Sequence, residues 1–375
     1  MEAFPSDISS GDFKSDFVWG SASSSYQVEG AALDHGRNPS IWDIFCLTNP
    51  GAIDHGDNGN NAIQAYYRTK EDVQMMKKMG LKAYRFSLSW SRILPGAKLS
   101  MGINKEGVDY YNNLINELKS NDIEPYVTLF HWDLPNSLEE EYLGFLDKQI
   151  ISDFMDYAEF CFWEFVFQKS QGGVIGIVLN STYYKPLDPH KQEDKDAALR
   201  ALDFYFGWFM EPLVSGKYPD TMIKNVGGHS RVHEQPEGID GTPIGPQGGA
   251  DYFFSYPPGL HQMLLHIKHN YGDPLIFITE NGWPDADFID KTIGQTRVDI
   301  ARIEYYNAHL QSLRDAIRDG VRVAGYFAWS LMDNFQWHFG YSIRFGLFYV
   351  DYKHGKFTRY PKNSVLWFMN FLKNP

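Results

Sequence analysis

The sequence predicts an α/β protein and, within that class, a (β/α)₈ TIM barrel. Three observations carry the prediction. Apolar runs that end in polar or aromatic residues at turn signals recur along the chain: "FVWGSASSSYQ" (17–27), "AYRFSLSW" (83–90), "PYVTLFHW" (125–132), "VIGIVLNS" (174–181), "PLIFITENG" (274–282) and "VAGYFAWSL" (323–331). They read as buried strands. Segments of helical period lie between them, as in "TKEDVQMMKKMG" (69–80), "EGVDYYNNLINELKSN" (106–121) and "RIEYYNAHLQSLRDAIRDG" (302–320), each stopping at Gly or Asn. Finally, no GxGxxG fingerprint follows the first strand, whereas polar side chains gather at the C-terminal strand ends, where barrel enzymes place their chemistry. The runs give fewer strands than the eight of a closed barrel, so the barrel is expected to be incomplete. Residues 182–273 read as long and irregular, and the stretch 223–250, rich in Gly, Pro and His, as a surface loop or junction. The whole chain, 1–375, is read as one barrel domain.

Composition narrows the partners. The net charge is −13 and Lys and Arg form no long block, which argues against a nucleic-acid groove or an anionic membrane surface. A neutral small molecule fits better. Aromatic residues make up 16% of the chain; such rings fill cores, and they also serve sugar clefts as flat platforms with polar handles. Two cysteines, Cys46 and Cys161, build no disulfide framework and suit a reducing compartment. The N-terminal stretch lacks the apolar core of a signal peptide and no run is long enough to span a membrane, so a cytoplasmic location is expected. The sequon Asn180-Ser181-Thr182 is read as a strand end.

Glu280 is the strongest candidate for chemistry, a carboxylate delivered by a buried strand to the turn in "IFITENGW" (276–283). Around it the strand ends supply Gln27, Arg85, His131, Trp132, Asn180, Trp329, Gln336 and Trp337. Amides, imidazole and indoles together suit a ring of hydroxyls and its apolar face. A retaining glycosidase needs Glu280 as nucleophile and a second carboxyl group about 5 Å away as acid and base. An adjacent Arg85 would keep the nucleophile ionised. No second glutamate stands at a matching strand end; Asp133 and Asp333 read as helix caps and Glu29 as a loop residue. HExxH, GxxxxGK[ST] and GxSxG patterns are absent. The histidine pairs in "HSRVH" (229–233) and "HIKH" (266–269) have no cysteine nearby, so neither a metal nor another cofactor is implied.

Taken together, "DFVWGSASSSYQVEGA", "GRNPSIWD", "YRFSLSWSRILP", "VTLFHWDLP", "IGIVLNS", "ITENGW", "YFAWSLMDNFQW" and "RFGLFYVDY" resemble the family 1 glycoside hydrolases, particularly plant β-glucosidases, over nearly the whole chain. The pattern is also similar to that of enzymes releasing alkaloid or other defence aglycones. The resemblance implies retaining hydrolysis of β-D-glucosides, with Glu280 as nucleophile and Gln27, His131, Trp329, Gln336 and Trp337 holding the glucose ring. It also implies two gaps. The family's Asn-Glu-Pro motif, which carries the acid/base on the fourth strand, has no counterpart, and "YAEFCFWEF" (157–165) joins directly to "VFQKSQGGVIGIVLNS". The sixth strand is expected to be missing after "MIKNVG" (222–227). Gln336 stands where the family usually carries a glutamate. Activity is therefore expected to be impaired; the alternative is an inactive form that binds glycosides, self-associates or joins full-length relatives.

Overall fold

The computed structural model describes residues 7–165, 174–225, 243–286, 291–352 and 354–373. In chain order the strands are β1 (Val18–Ala22), β2 (Ala83–Ser87), β3 (Glu124–Thr128), β4 (Ile276–Asn281), β5 (Asp285–Ala286), β6 (Val323–Trp329), β7 (Ile343–Arg344), β8 (Phe348–Val350) and β9 (Arg359–Pro361). The long ones form a single parallel sheet in the order β3-β2-β1-β6-β4, while β5 pairs with β7 and β8 with β9. The sheet is strongly curled. Tyr126 of β3 and Phe277 of β4 occupy its two outermost strands, yet their rings meet across the interior at 5.8 Å, and Phe327 packs on Tyr126 at 4.8 Å. These rings, with Ala22 and Ala83, fill the inside. Gly20 is required there, because a Cβ would collide with the Phe327 ring.

Amphipathic helices cover the outside. Ala65–Met79 and Lys105–Ser120 bury Val73, Met76, Leu114 and Leu118, and Ile300–Arg318 buries Leu310 and Leu313. The first ends on Gly80 at φ 84°, a left-handed turn that favours glycine. Helix Asn363–Lys373 joins this outer layer beside Ile300–Arg318 and Ala65–Met79, setting Phe371 against Trp19 at 4.8 Å.

Two expectations need correction. The apolar run 174–181 forms no strand: Val174 and Ile175 are 91% and 74% exposed, and Asn180, exposed as well, makes a side-chain hydrogen bond to Tyr205. The physical reason lies in the sheet edge beside it, that of β3. Glu124 N–H donates to the Lys82 carbonyl and Leu88 N–H to that of Thr128, so the even residues of β3 face β2 and Pro125, Val127 and Leu129 face the open side. Pro125 has no N–H to offer there, and Tyr157 already caps the Leu129 carbonyl at 2.9 Å. A strand cannot extend such an edge easily. The span 182–273 is also less irregular than expected, holding helices Gln192–Leu202, Trp208–Ser215, Asp220–Asn225 and Pro257–Asn270. Of the stretch 223–250, residues 226–242, with both histidines of "HSRVH", lie outside the described residues.

Candidate active site

The C-terminal ends of β2, β3, β4 and β6 converge on one cleft. Glu280 projects from β4 and Arg85 from β2; the guanidinium Nη1 donates to Glu280 Oε1, forming an ion pair across the barrel mouth. The arginine is itself aimed, since its Nε donates to Thr128 Oγ1 at 2.8 Å. Beside Glu280, Asn281 is clamped between two hydroxyls: Tyr326 donates to its Oδ1 at 2.6 Å and its Nδ2 donates to Tyr305 at 3.0 Å. Gly282 follows because the chain passes the Trp329 carbonyl too closely for any side chain.

His131 forms the neighbouring wall. Its ring lies parallel to Trp329 (5.8 Å, 2°) and to Trp337 (6.1 Å, 12°). Burial lowers its pKa to about 4, with Arg85 adding to that and the attraction of Glu280 opposing it. At neutral pH the imidazole is therefore uncharged. Its Nδ1 stands 3.9 Å from Glu280 Oε1, beyond hydrogen-bond reach, so the two form no ion pair there. Trp337 also meets Trp132 at 5.2 Å and Trp42 at 4.7 Å, and Trp132 is half exposed at the mouth.

Gln336 lines the cleft, but Gln27 does not. Gln27 is fully buried, its Nε2 donating to the Phe335 carbonyl at 2.6 Å and to Asn334 Oδ1 at 3.1 Å, its Oε1 accepting from Ser24 at 2.6 Å. Both of its N–H groups are thus taken by protein, and it supports the wall from behind. Sequence reasoning missed Thr128, Asn281, Tyr305 and Tyr326. All four sit within quoted runs, so their positions were legible even though their partners were not.

The remaining carboxylates have structural occupations. Glu29 accepts from Arg92 Nε at 2.9 Å and Tyr111 at 2.6 Å. Asp333 accepts from Lys362 at 2.8 Å, from the Gly346 N–H at 2.9 Å and from Arg344 at 3.1 Å. Asp133 accepts from Ser25 at 2.6 Å, and burial pushes its pKa up to about 6. Neither aspartate caps a helix, contrary to expectation: Asp133 holds Ser25 at the start of the short helix Ser25–Val28, and Asp333 joins β7 to Gly346 and Lys362. Among the described residues the cleft is lined by only two carboxylates besides Glu280, namely Glu124 and Asp194. Glu124 starts β3, at the far end from His131, and pairs with Lys119, while Asp194 accepts from the Asp188 N–H. The cleft has a volume of ≈ 2590 Å³, far beyond the roughly 300–1,000 Å³ of a small-ligand pocket, because it is open between the edges of β3 and β4. No metal-holding group of His, Cys, Asp and Glu occurs among the described residues, His266 and His269 included.

A carboxylate held by an arginine at a parallel-strand end, walled by imidazole and indoles, defines a glycoside-hydrolase type of barrel mouth. Comparison with known proteins agrees with that class. The glycosyl hydrolase family 1 model matches residues 9–169, 163–240 and 239–375, and the chain belongs to this family, whose fold is the (β/α)₈ barrel. It is 38% identical to raucaffricine-O-β-D-glucosidase of Rauvolfia serpentina over 499 aligned residues, covering 98% of this chain and 92% of that one. Beta-glucosidase 12 of Oryza sativa subsp. japonica is 40% identical, over 97% of this chain and 93% of its own. A solved rice β-glucosidase superposes with a TM-score of 0.92 at 33% identity, over 98% and 100% of the two chains. The 499 positions of the first alignment exceed the 375 residues of this chain, so that relative carries segments with no counterpart here.

Proposed function

We propose that the protein is a retaining β-glucosidase for small, plant-type aglycones, with Glu280 as nucleophile and Arg85 as its charged partner. The ion pair between them at the end of β4 carries this reading. His131, Trp329, Trp337, Gln336 and the exposed Trp132 form the sugar wall. The missing segments correspond to strands four and six and take the acid/base with them, a reading supported by the breaks in the family match near 163–169 and 239–240 and by the lack, among the described residues, of a second carboxylate in contact with Glu280. A missing general acid forfeits about 10²–10⁴-fold in rate. Turnover is then confined to glucosides whose aglycone leaves without being protonated. The relatives named for raucaffricine and ipecoside glucosides support an alkaloid-type aglycone. No helix among the described residues is long and apolar enough to cross a membrane, which is compatible with a cytoplasmic site of action for this one-domain chain.

The test is hydrolysis of an aryl β-glucoside with an activated leaving group, in wild type and Glu280→Gln, with and without azide. Turnover lost in Glu280→Gln and a β-glycosyl azide formed by the wild type are the expected results. A folded wild type that is inert under both conditions rejects the catalytic reading.

One observation favours a second reading, association with a full-length relative or a second copy. Beside the open edges, helix Gln149–Phe165 exposes Ile151, Met155 and Trp163, and helix Trp208–Ser215 exposes Trp208, Phe209 and Leu213. Patches of this kind mark contact surfaces. Co-purification with a full-length relative supports this role, and a monomer that captures none rejects it.

A further inference from the structure

The mouth and the outer layer of the barrel meet at β4. Glu280 turns to Arg85 in the mouth, while Asn281, next along the strand, turns to Tyr305 on helix Ile300–Arg318 outside the sheet. The clamp on Asn281 can be drawn in two directions, because an amide offers a donor on one side and an acceptor on the other. Burial decides between them. Tyr326 is fully buried and its hydroxyl meets Asn281 Oδ1 at 2.6 Å, with no other acceptor for its proton among the described residues. Turning the amide over would strand that proton in the core, so Tyr326 donates and Tyr305, at 3.0 Å, accepts from Nδ2. The Tyr305 proton is left for another acceptor, and none stands beside it among the described residues. One helical turn on, His309 stacks on Tyr305 at 3.7 Å and is equally buried, which keeps its ring neutral. Its Nδ1 lies 2.8 Å from the Tyr305 carbonyl, which can only accept, so Nδ1 carries the ring proton and Nε2 presents a bare lone pair.

We propose that Tyr305 and His309 form a second small-molecule site on the outer side of β4, one that takes a phenol: the phenolic oxygen accepts from Tyr305 Oη and the phenolic proton is donated to His309 Nε2. A hydroxyl can do both at once, whereas an ether or a carbonyl can only accept. Both residues line the large cleft that opens between β3 and β4, so the pair is reached from that side. The rest of the lining suits an arene. Phe253 sets its ring 6.1 Å from that of Tyr305, helix Pro257–Asn270 packs on Ile300–Arg318 and adds Leu260, and β4 adds Ile278. Apolar walls around a few convergent polar groups are the common build of a small-molecule site. The site does not depend on the glycoside reading of the mouth, because Glu280 and Asn281 leave β4 toward different partners.

Calorimetric titration of the whole chain compares three probes of similar shape, 4-ethylphenol, 4-ethylanisole and ethylbenzene. The phenol can accept and donate, the anisole can only accept, and the hydrocarbon can do neither. Wild type is expected to bind the phenol about tenfold or more tighter than ethylbenzene, as two net hydrogen bonds allow, with the anisole between them. Tyr305→Phe should bring the anisole down to ethylbenzene, and His309→Phe should bring the phenol down to the anisole. Saturation with D-glucose, or Glu280→Gln, should leave the phenol affinity unchanged. Three probes that bind alike, or none that binds, overturn the proposal. A phenol preference that survives both Tyr305→Phe and His309→Phe means that another group reads the hydroxyl, and overturns it too. Phenol displaced by D-glucose lies in the mouth as an aglycone does, which rejects the second site while leaving the glycoside reading intact. The three-probe series in wild type needs no variant, so it decides even where Tyr305→Phe or His309→Phe fails to fold.

Discussion

At Glu280 the chemistry depends on a chain of aim: Thr128 holds Arg85 Nε, and Arg85 reaches across the mouth to the carboxylate. Replacing Thr128 by Val keeps the volume but removes the acceptor, leaving a buried guanidinium N–H unpaired and free to pull the guanidinium away. A hydrogen bond to a charged group contributes roughly 1.5–3 kcal/mol, so Thr128→Val should slow turnover of an activated aryl β-glucoside by about tenfold or more. Thr128→Ser should restore most of it, with KM little changed in either variant. Equal rates in wild type and Thr128→Val would mean that strand geometry alone aims Arg85. Strand-end residues such as Glu280, Arg85, His131 and Trp329 were legible because a parallel strand delivers its last side chains to one rim. Gln27 was misplaced for a different reason: whether an amide faces the cleft or the wall behind it depends on acceptors from 334–336, distant in sequence.

The run 174–181 shows what separates an apolar pattern from an element. Its composition reads as a buried strand, but a strand is defined by its neighbours' N–H and C=O groups, and the β3 edge offers few. Exposure makes this testable. Ile175→Asp should change the unfolding free energy by no more than about 0.5 kcal/mol, as at a surface position, whereas Leu313→Ala, fully buried under the sheet, should cost about 2–5 kcal/mol. Urea unfolding of the two variants decides it, and a penalty of several kcal/mol at Ile175 would show that the run is buried in solution. Helices were legible where a polar face alternates with a buried one, as in Lys105–Ser120 and Ile300–Arg318. They were missed at Gln192–Leu202 and Pro257–Asn270. The first buries only Ala201 and Leu202, at its end, and the second opens on two prolines that read as loop punctuation.

For the molecule as a whole, a curled sheet that packs imidazoles away from water ties stability to pH. Burial holds both His131 and His309 down at about 4, and His309 Nδ1 donates to the Tyr305 carbonyl at 2.8 Å. Between pH 6.5 and 4 the unfolded chain binds protons at these sites and the fold does not, so stability falls as the solution is acidified. Asp133 acts in the opposite sense. With its pKa raised to about 6 against an ordinary 3.8, the fold binds the extra proton, and stability falls as pH rises through that window. The opposed contributions flatten the wild-type profile, so single variants reveal what the wild type conceals. His309→Gln should be less stable than wild type at pH 7, and that gap should shrink by roughly 2–3 kcal/mol by pH 4.5, since each pKa unit corresponds to about 1.4 kcal/mol. Asp133→Asn should gain on wild type as pH rises from 4 to 6. Urea midpoints at the two ends of each window measure both trends. A His309→Gln gap that stays constant would mean that this imidazole titrates in the fold as it does in the unfolded chain, which requires water to reach it through the open side of the barrel.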